Sequence, residues 1–125
     1  SNADRALELF VQELAINPGH VPSMVTAALE YLKRNDPVKA EPLAKQAAKK
    51  SPLDFPSRLA YGRALLALDR AALALPELQM ALKLAPDSPP VRFALAAAYQ
   101  KLGRTADAAR ERAEFTRLEQ MRSRP

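Results

Sequence analysis

The chain has 125 residues and no cysteine, so disulfides, thiolate zinc sites and a thiol nucleophile are excluded. A hydrophobic share of 48% against 26% charged is that of a folded domain and excludes global disorder. A net charge of +5 permits an acidic protein partner or a nucleic acid without choosing between them.

Ser1-Asn2-Ala3 looks like the scar of a cleaved expression tag and is set aside as 1–3. Apolar residues then recur at helical spacing, which predicts helices over about 4–16, 21–34, 37–50, 55–68, 71–85, 89–102 and 105–122. Asn17-Pro18-Gly19, Ser51-Pro52 and Ala85-Pro86-Asp87 end helices, because the residue before proline avoids the helical region. Asp36-Pro37 and Ser88-Pro89 read as N-caps with proline at the first helical position, and Gly103 suits the last tight turn. Pro42 and Pro76 fall inside helices, where each removes one backbone hydrogen bond at a cost softened by its early-turn position, and their shared column reads as geometry. No apolar run reaches the ~18 residues of a membrane span. The richest stretch, Leu59 to Leu84, is broken by Arg63, Asp69, Arg70 and Glu77.

The helices repeat. Pro18, Pro52 and Pro86 lie 34 residues apart, as do Pro22, Pro56 and Pro90, and Pro42 and Pro76. Ala6, Ala40, Ala74 and Ala108 share a column, as do Ala28, Gly62 and Ala96, and Tyr31, Leu65 and Tyr99. One period shared by several independent columns predicts an all-α stacked solenoid.

With Val21, Phe55 and Pro89 as first residues, these columns resemble the tetratricopeptide (TPR) repeat over nearly the whole chain. The small eighth position is Ala28, Gly62 and Ala96, and the large eleventh is Tyr31, Leu65 and Tyr99. The alanine at twenty is Ala40, Ala74 and Ala108, and the closing proline is Pro52 and Pro86. The resemblance implies a right-handed solenoid of antiparallel helix pairs: the second helix of a truncated repeat over 4–20, then repeats over 21–54, 55–88 and 89–122. Three departures stand out. Met24, Arg58 and Arg92 replace the frequent tryptophan, Glu13 occupies a small position, and Phe115, Arg112 and Gln120 break the pattern in the last helix. Without a following repeat, Phe115 would cover an open end and 105–122 would be a capping helix. Helix 4–16, with Leu7 and Phe10, would lack cover and favour a homodimer. Arg110 with Glu114 and Glu114 with Arg117 would form surface pairs on 105–122.

Chemistry has little foothold. His20 is the single histidine and reads as a solvated turn residue, with no second ligand to make a metal site. The three glycines are isolated, so no phosphate-cradling loop exists, and no cofactor or catalytic residue is predicted.

The resemblance instead implies a concave groove lined by the first helix of each pair, binding a peptide or helix segment of a partner protein. The matching residues are Val25, Leu29, Leu32, Lys33, Leu59, Arg63, Leu66, Phe93, Ala97, Gln100 and Lys101, with Pro22, Pro56 and Pro90 at the same face. An apolar stripe edged by cations suits an acidic-amphipathic segment. Intrarepeat packing is the competing reading for each apolar member. The family's carboxylate clamp, which wants Lys and Asn, meets Val25, Leu29, Ala60, Pro90 and Ala94, so it is absent. The alternatives are a self-assembly module and, less favoured, nucleic-acid binding through Lys39, Lys45, Lys49 and Lys50 on the convex face. Rich Ala, Leu, Arg and Pro usage fits a GC-rich bacterial coding sequence. The sequence does not choose between bacterial cytoplasm and periplasm.

Overall fold

The proline punctuation becomes helix boundaries. The computed structural model describes residues 2–124 and holds α1 (Asn2–Ile16), α2 (Val21–Lys33), α3 (Pro37–Lys50), α4 (Phe55–Ala67), α5 (Ala71–Leu84), α6 (Pro89–Lys101) and α7 (Thr105–Arg122). No strand occurs among the described residues. Ser1 lies outside them, while Asn2 and Ala3 already belong to α1.

The turns after α2, α4 and α6 share one geometry. Asn35, Asp69 and Gly103 occupy one repeat column, and all three take positive φ, at 59°, 61° and 76°. The next amide reaches back five residues, Asp36 N–H to Tyr31 O at 2.9 Å, Arg70 to Leu65 at 2.8 Å and Arg104 to Tyr99 at 2.9 Å. This is the Schellman termination, which satisfies carbonyls left open at a helix end. It stops these helices one residue earlier than the apolar spacing suggests.

Helix starts are capped unequally. Asp54 accepts from Ser57 N–H at 3.2 Å and from the Ser57 hydroxyl at 2.6 Å. Asp36 accepts from Lys39 N–H at 3.3 Å, whereas Ser88 stands at its cap position without a side-chain bond. His20 is not a solvated turn residue. It is half-buried, caps α2 by accepting from Ser23 N–H at 3.3 Å through Nδ1, and holds the Ser23 hydroxyl at 2.6 Å from the same nitrogen. Asp54→Ala is expected to destabilise by about 1–2 kcal/mol, because it strips the α4 cap and leaves the fully buried Ser57 hydroxyl without its acceptor. Chemical denaturation checks this; an unchanged midpoint would refute it.

Pro42 and Pro76 do not break α3 or α5. Both are exposed, as are Val38 and Ala72 four residues before them, so water can take over the lost donor.

Successive helices pack against one another, and α2 touches α4 as α4 touches α6. Among the described residues α3 and α5 make no such contact, nor do α5 and α7. The even-numbered helices therefore stack on the tighter radius and form the inner, concave layer, while the odd-numbered helices splay on the outer side. The core is a chain of small residues and a few large ones. Met24, Ala28, Ala40, Ala44, Ala47 and Ala60 form one end, and Leu65, Leu78, Val91 and Leu95 the other. Gly62 lies where α4 crosses α5: a Cβ there would sit 2.4 Å from Leu78 Cδ2 and 2.6 Å from its Cγ. The small-residue column thus sets how closely the rods approach.

The two ends differ. No residue of α1 is buried, although Leu14 leans on the core and Asp4 pairs with Arg34. Glu13 is exposed, and so are Leu9, Val11 and Ile16. On α7, Phe115 is half-buried and packs its ring 5.6 Å from that of Phe93, while Arg112 stays in solvent and donates to Gln100 Oε1 at 3.3 Å. Arg110 does not pair with Glu114; it reaches back to Asp107, leaving Glu114 to Arg117. The hydrogen bond from Arg110 holds the Asp107 carboxyl below its usual range, and that from Arg117 does the same for Glu114. Depressed carboxyl values mean that the stability these pairs add is present above the unfolded-state pKa and is lost as pH falls through the folded-state values.

Candidate interaction surfaces

The inner layer carries two clefts. The first, about 410 Å³, opens between α2 and α4 and is lined by Val21, Pro22, Val25, Thr26 and Pro56, with Ser51 and Asp54 at its edge. The second, about 270 Å³, lies against α4, α6 and α7, where Arg63, Pro90, Phe93, Phe115 and Glu119 converge. Pro22, Pro56 and Pro90 share one column, so a proline at the second helical position lines each cleft.

The groove residues expected from sequence divide into three groups. Val25 and Leu59 are core residues, 7% and 8% exposed, and show little surface. Leu29, Leu32, Leu66 and Ala97 are half-buried between helices. Lys33, Arg63, Phe93, Gln100 and Lys101 are exposed. Two of these cations are already engaged, Lys33 with Glu30 at 3.2 Å and Lys101 with Asp69 at 3.2 Å across the repeats. Gln100 receives Arg112. Arg63 has no ion pair among the described residues and stands beside Phe93, which is 64% exposed. Of the expected set, Val25, Arg63 and Phe93 line a cleft, together with Pro22, Pro56 and Pro90. Thr26, Phe115 and Glu119 line them without having been expected, Phe115 because its column alone suggests an end cover.

What replaces the missing tryptophan is a salt bridge. Arg58 donates from Nη1 to Glu77 at 2.7 Å and from Nε to the Pro52 carbonyl at 2.9 Å. Arg92 repeats this with Glu111 at 2.9 Å and the Pro86 carbonyl at 3.1 Å. Each arginine ties the second helix of its own pair to the turn that closes the previous repeat. In the first repeat the same two columns hold Met24 and Leu43, which join one apolar cluster. The bridge is thus a structural device of the fold.

Among the described residues no three side chains of His, Asp or Glu converge as metal ligands, and no helix is long and apolar enough to cross a membrane.

Among the described residues, three helix pairs behind a lone first helix, a small-residue crossing column and an inner layer in mutual contact define an all-α, TPR-like helical-repeat solenoid. Comparison with solved structures places the chain in one family with MamA, a helical-repeat protein of this kind: it is 30% identical to MamA AMB-1, with a TM-score of 0.79 over 94% of this chain and 69% of that one. MamA MSR-1 is 26% identical at a TM-score of 0.78, over 98% of this chain and 71% of that one. MamA from Desulfovibrio magneticus RS-1 is 19% identical and superposes at 0.83 over 98% of this chain and 70% of that one, a likeness of fold. No protein-family model matches the chain, and no curated protein does.

Proposed function

We propose that the chain is a TPR-family scaffold that holds a segment of a partner protein against its inner face. The second cleft carries this reading: exposed Phe93, packed on the half-buried Phe115, sits beside an arginine that forms no ion pair among the described residues. A large exposed aromatic next to a cation outside any ion pair, with Glu119 in the same cleft engaged by Arg122, is the composition of an interaction hot spot. The segment that fits it presents an apolar side chain to the rings and a carboxylate to Arg63. The inner layer is preformed by helix packing, so little order is lost by the scaffold on binding.

Arg63→Glu and Phe93→Ala are expected to weaken binding of an acidic-amphipathic partner segment at least tenfold, with the helical signal unchanged. Both positions are exposed, so folding is spared. Leu59 is a poor probe, since an aspartate there would enter the core. If both folded variants bind partners selected on the unmutated chain with undiminished affinity, the inner-face reading fails.

Self-assembly is the second reading, favoured by α1, whose Leu9, Val11 and Ile16 are 49%, 43% and 82% exposed with Phe10 half-buried beside them. Under it, light scattering shows a mass that rises with concentration, and Phe10→Asp returns the chain to a monomer. A monomer at all concentrations for the unmutated protein rejects it.

A further inference from the structure

The outer face carries a feature that the inner groove does not use. Where α3 and α5 part, a cleft of about 330 Å³ opens, with Lys45 and Lys49 on one wall and Arg58, Tyr61 and Glu77 on the other. Lys45 and Lys49 are one helical turn apart and exposed, and neither forms an ion pair among the described residues. Like charges at that spacing repel, an effect offset in part by the position of Lys49 in the last turn of α3, where the helix dipole favours a cation. Arg58 uses Nη1 on Glu77 and Nε on the Pro52 carbonyl, leaving Nη2 without a bond among the described residues. The half-buried Tyr61 hydroxyl makes no hydrogen bond there either. Burial first, then Glu41 and Glu77, raise its pKa against the opposing pull of Arg70, so it stays a protonated donor. Three cations, Lys45, Lys49 and Arg58, and one carboxylate, Glu77, line the cleft among the described residues, with Glu41 and Arg70 near enough to act on Tyr61.

The chain supplies its own control. One repeat further on, the columns of Lys45, Lys49, Arg58, Tyr61 and Glu77 hold Gln79, Lys83, Arg92, Leu95 and Glu111. The arginine–glutamate bridge is kept, so it belongs to the fold. Lys45 and Tyr61 are not kept, so the architecture does not require them.

We propose that this outer cleft binds a phosphate monoester dianion, neutralised by Lys45 and Lys49 and oriented by the Tyr61 hydroxyl and the free Arg58 Nη2. A monoester carries close to two negative charges and three acceptor oxygens at neutral pH, which matches two unpaired ammoniums and two further donors better than a carboxylate does.

The test is a two-dimensional NMR titration of the full chain with inorganic phosphate, and with a short peptide carrying one phosphoserine, each against sodium chloride at matched ionic strength. Saturable shifts centred on Lys45, Lys49 and Tyr61 are expected, with affinity falling at least tenfold in Lys45→Gln/Tyr61→Leu, which copies the next repeat. Lys45→Gln/Lys49→Gln, confined to exposed positions, gives the same loss if the tyrosine variant folds poorly. Equal affinity for both probes marks a small-molecule phosphate as the source, and a tenfold preference for the peptide marks a phosphorylated protein. Shifts that chloride reproduces, or affinity unchanged in the lysine variant, overturn the proposal. So does a preference for a single-stranded oligonucleotide, whose phosphodiesters carry one charge each.

Discussion

Arg92→Met alone is expected to lower stability by about 3 kcal/mol, and adding Glu111→Leu to restore most or all of the loss. Glu111 is 5% exposed, and its carboxylate is satisfied by the Arg92 guanidinium at 2.9 Å. Removing the arginine strands a charge in a low-dielectric site and also frees the Pro86 carbonyl. Removing both charges avoids that penalty, and the chain shows that the apolar alternative packs: Met24, fully buried, and Leu43 occupy these columns in the first repeat. Urea denaturation of the two single variants and the double one measures the coupling. A single variant within about 1 kcal/mol of the parent, or a double variant no better than the single, would show that the bridge is not what holds these repeats in register.

Gly62→Ala is expected to cost about 1–3 kcal/mol, an unusually large effect for adding one methyl to a helix, where alanine is otherwise preferred over glycine. The new Cβ would fall 2.6 Å from the Cγ of Leu78, a side chain with no exposure and no room to retreat. Leu78→Ala alone leaves a cavity and should cost about 2–5 kcal/mol. Combined, the two changes should cost less than their sum by at least about 0.5 kcal/mol, because each removes the other's defect. The first repeat already has this pairing, with Ala28 opposite Ala44, both fully buried. Strict additivity in the denaturation midpoints would mean that the crossing distance is fixed elsewhere.

Much of the architecture was legible because it is written in prolines and small residues, whose backbone consequences are local. Pro18, Pro52 and Pro86 mark helix ends by sterics alone, and Ala28, Gly62 and Ala96 can share a period only if something recurs against them. The Arg58–Glu77 and Arg92–Glu111 bridges were hidden because their partners are 19 residues apart in different columns. Aligning the arginine column with the glutamate column, and noticing Met24 with Leu43 as the apolar version, was the available signal. Asn35 and Asp69 gave away their left-handed turns only through their alignment with Gly103. The inner surface was less legible. Helical spacing places Val25 and Leu59 toward the groove, yet a modest rotation decides whether such a side chain lines a cleft or fills the seam between rods. Arg110 chose Asp107 over Glu114, a choice between two neighbours at three and four residues that spacing cannot make.

Among the described residues no helix touches another more than two places along the chain. The molecule therefore assembles by contacts that are near in sequence, and its contact order is low, which favours rapid folding. Its cooperativity is that of a zipper, in which each unit lends stability only to its neighbours. Amide protons should exchange fastest in α1, none of whose residues is fully buried, and slowest in α4 and its flanks, so that protection maps position along the array rather than depth alone.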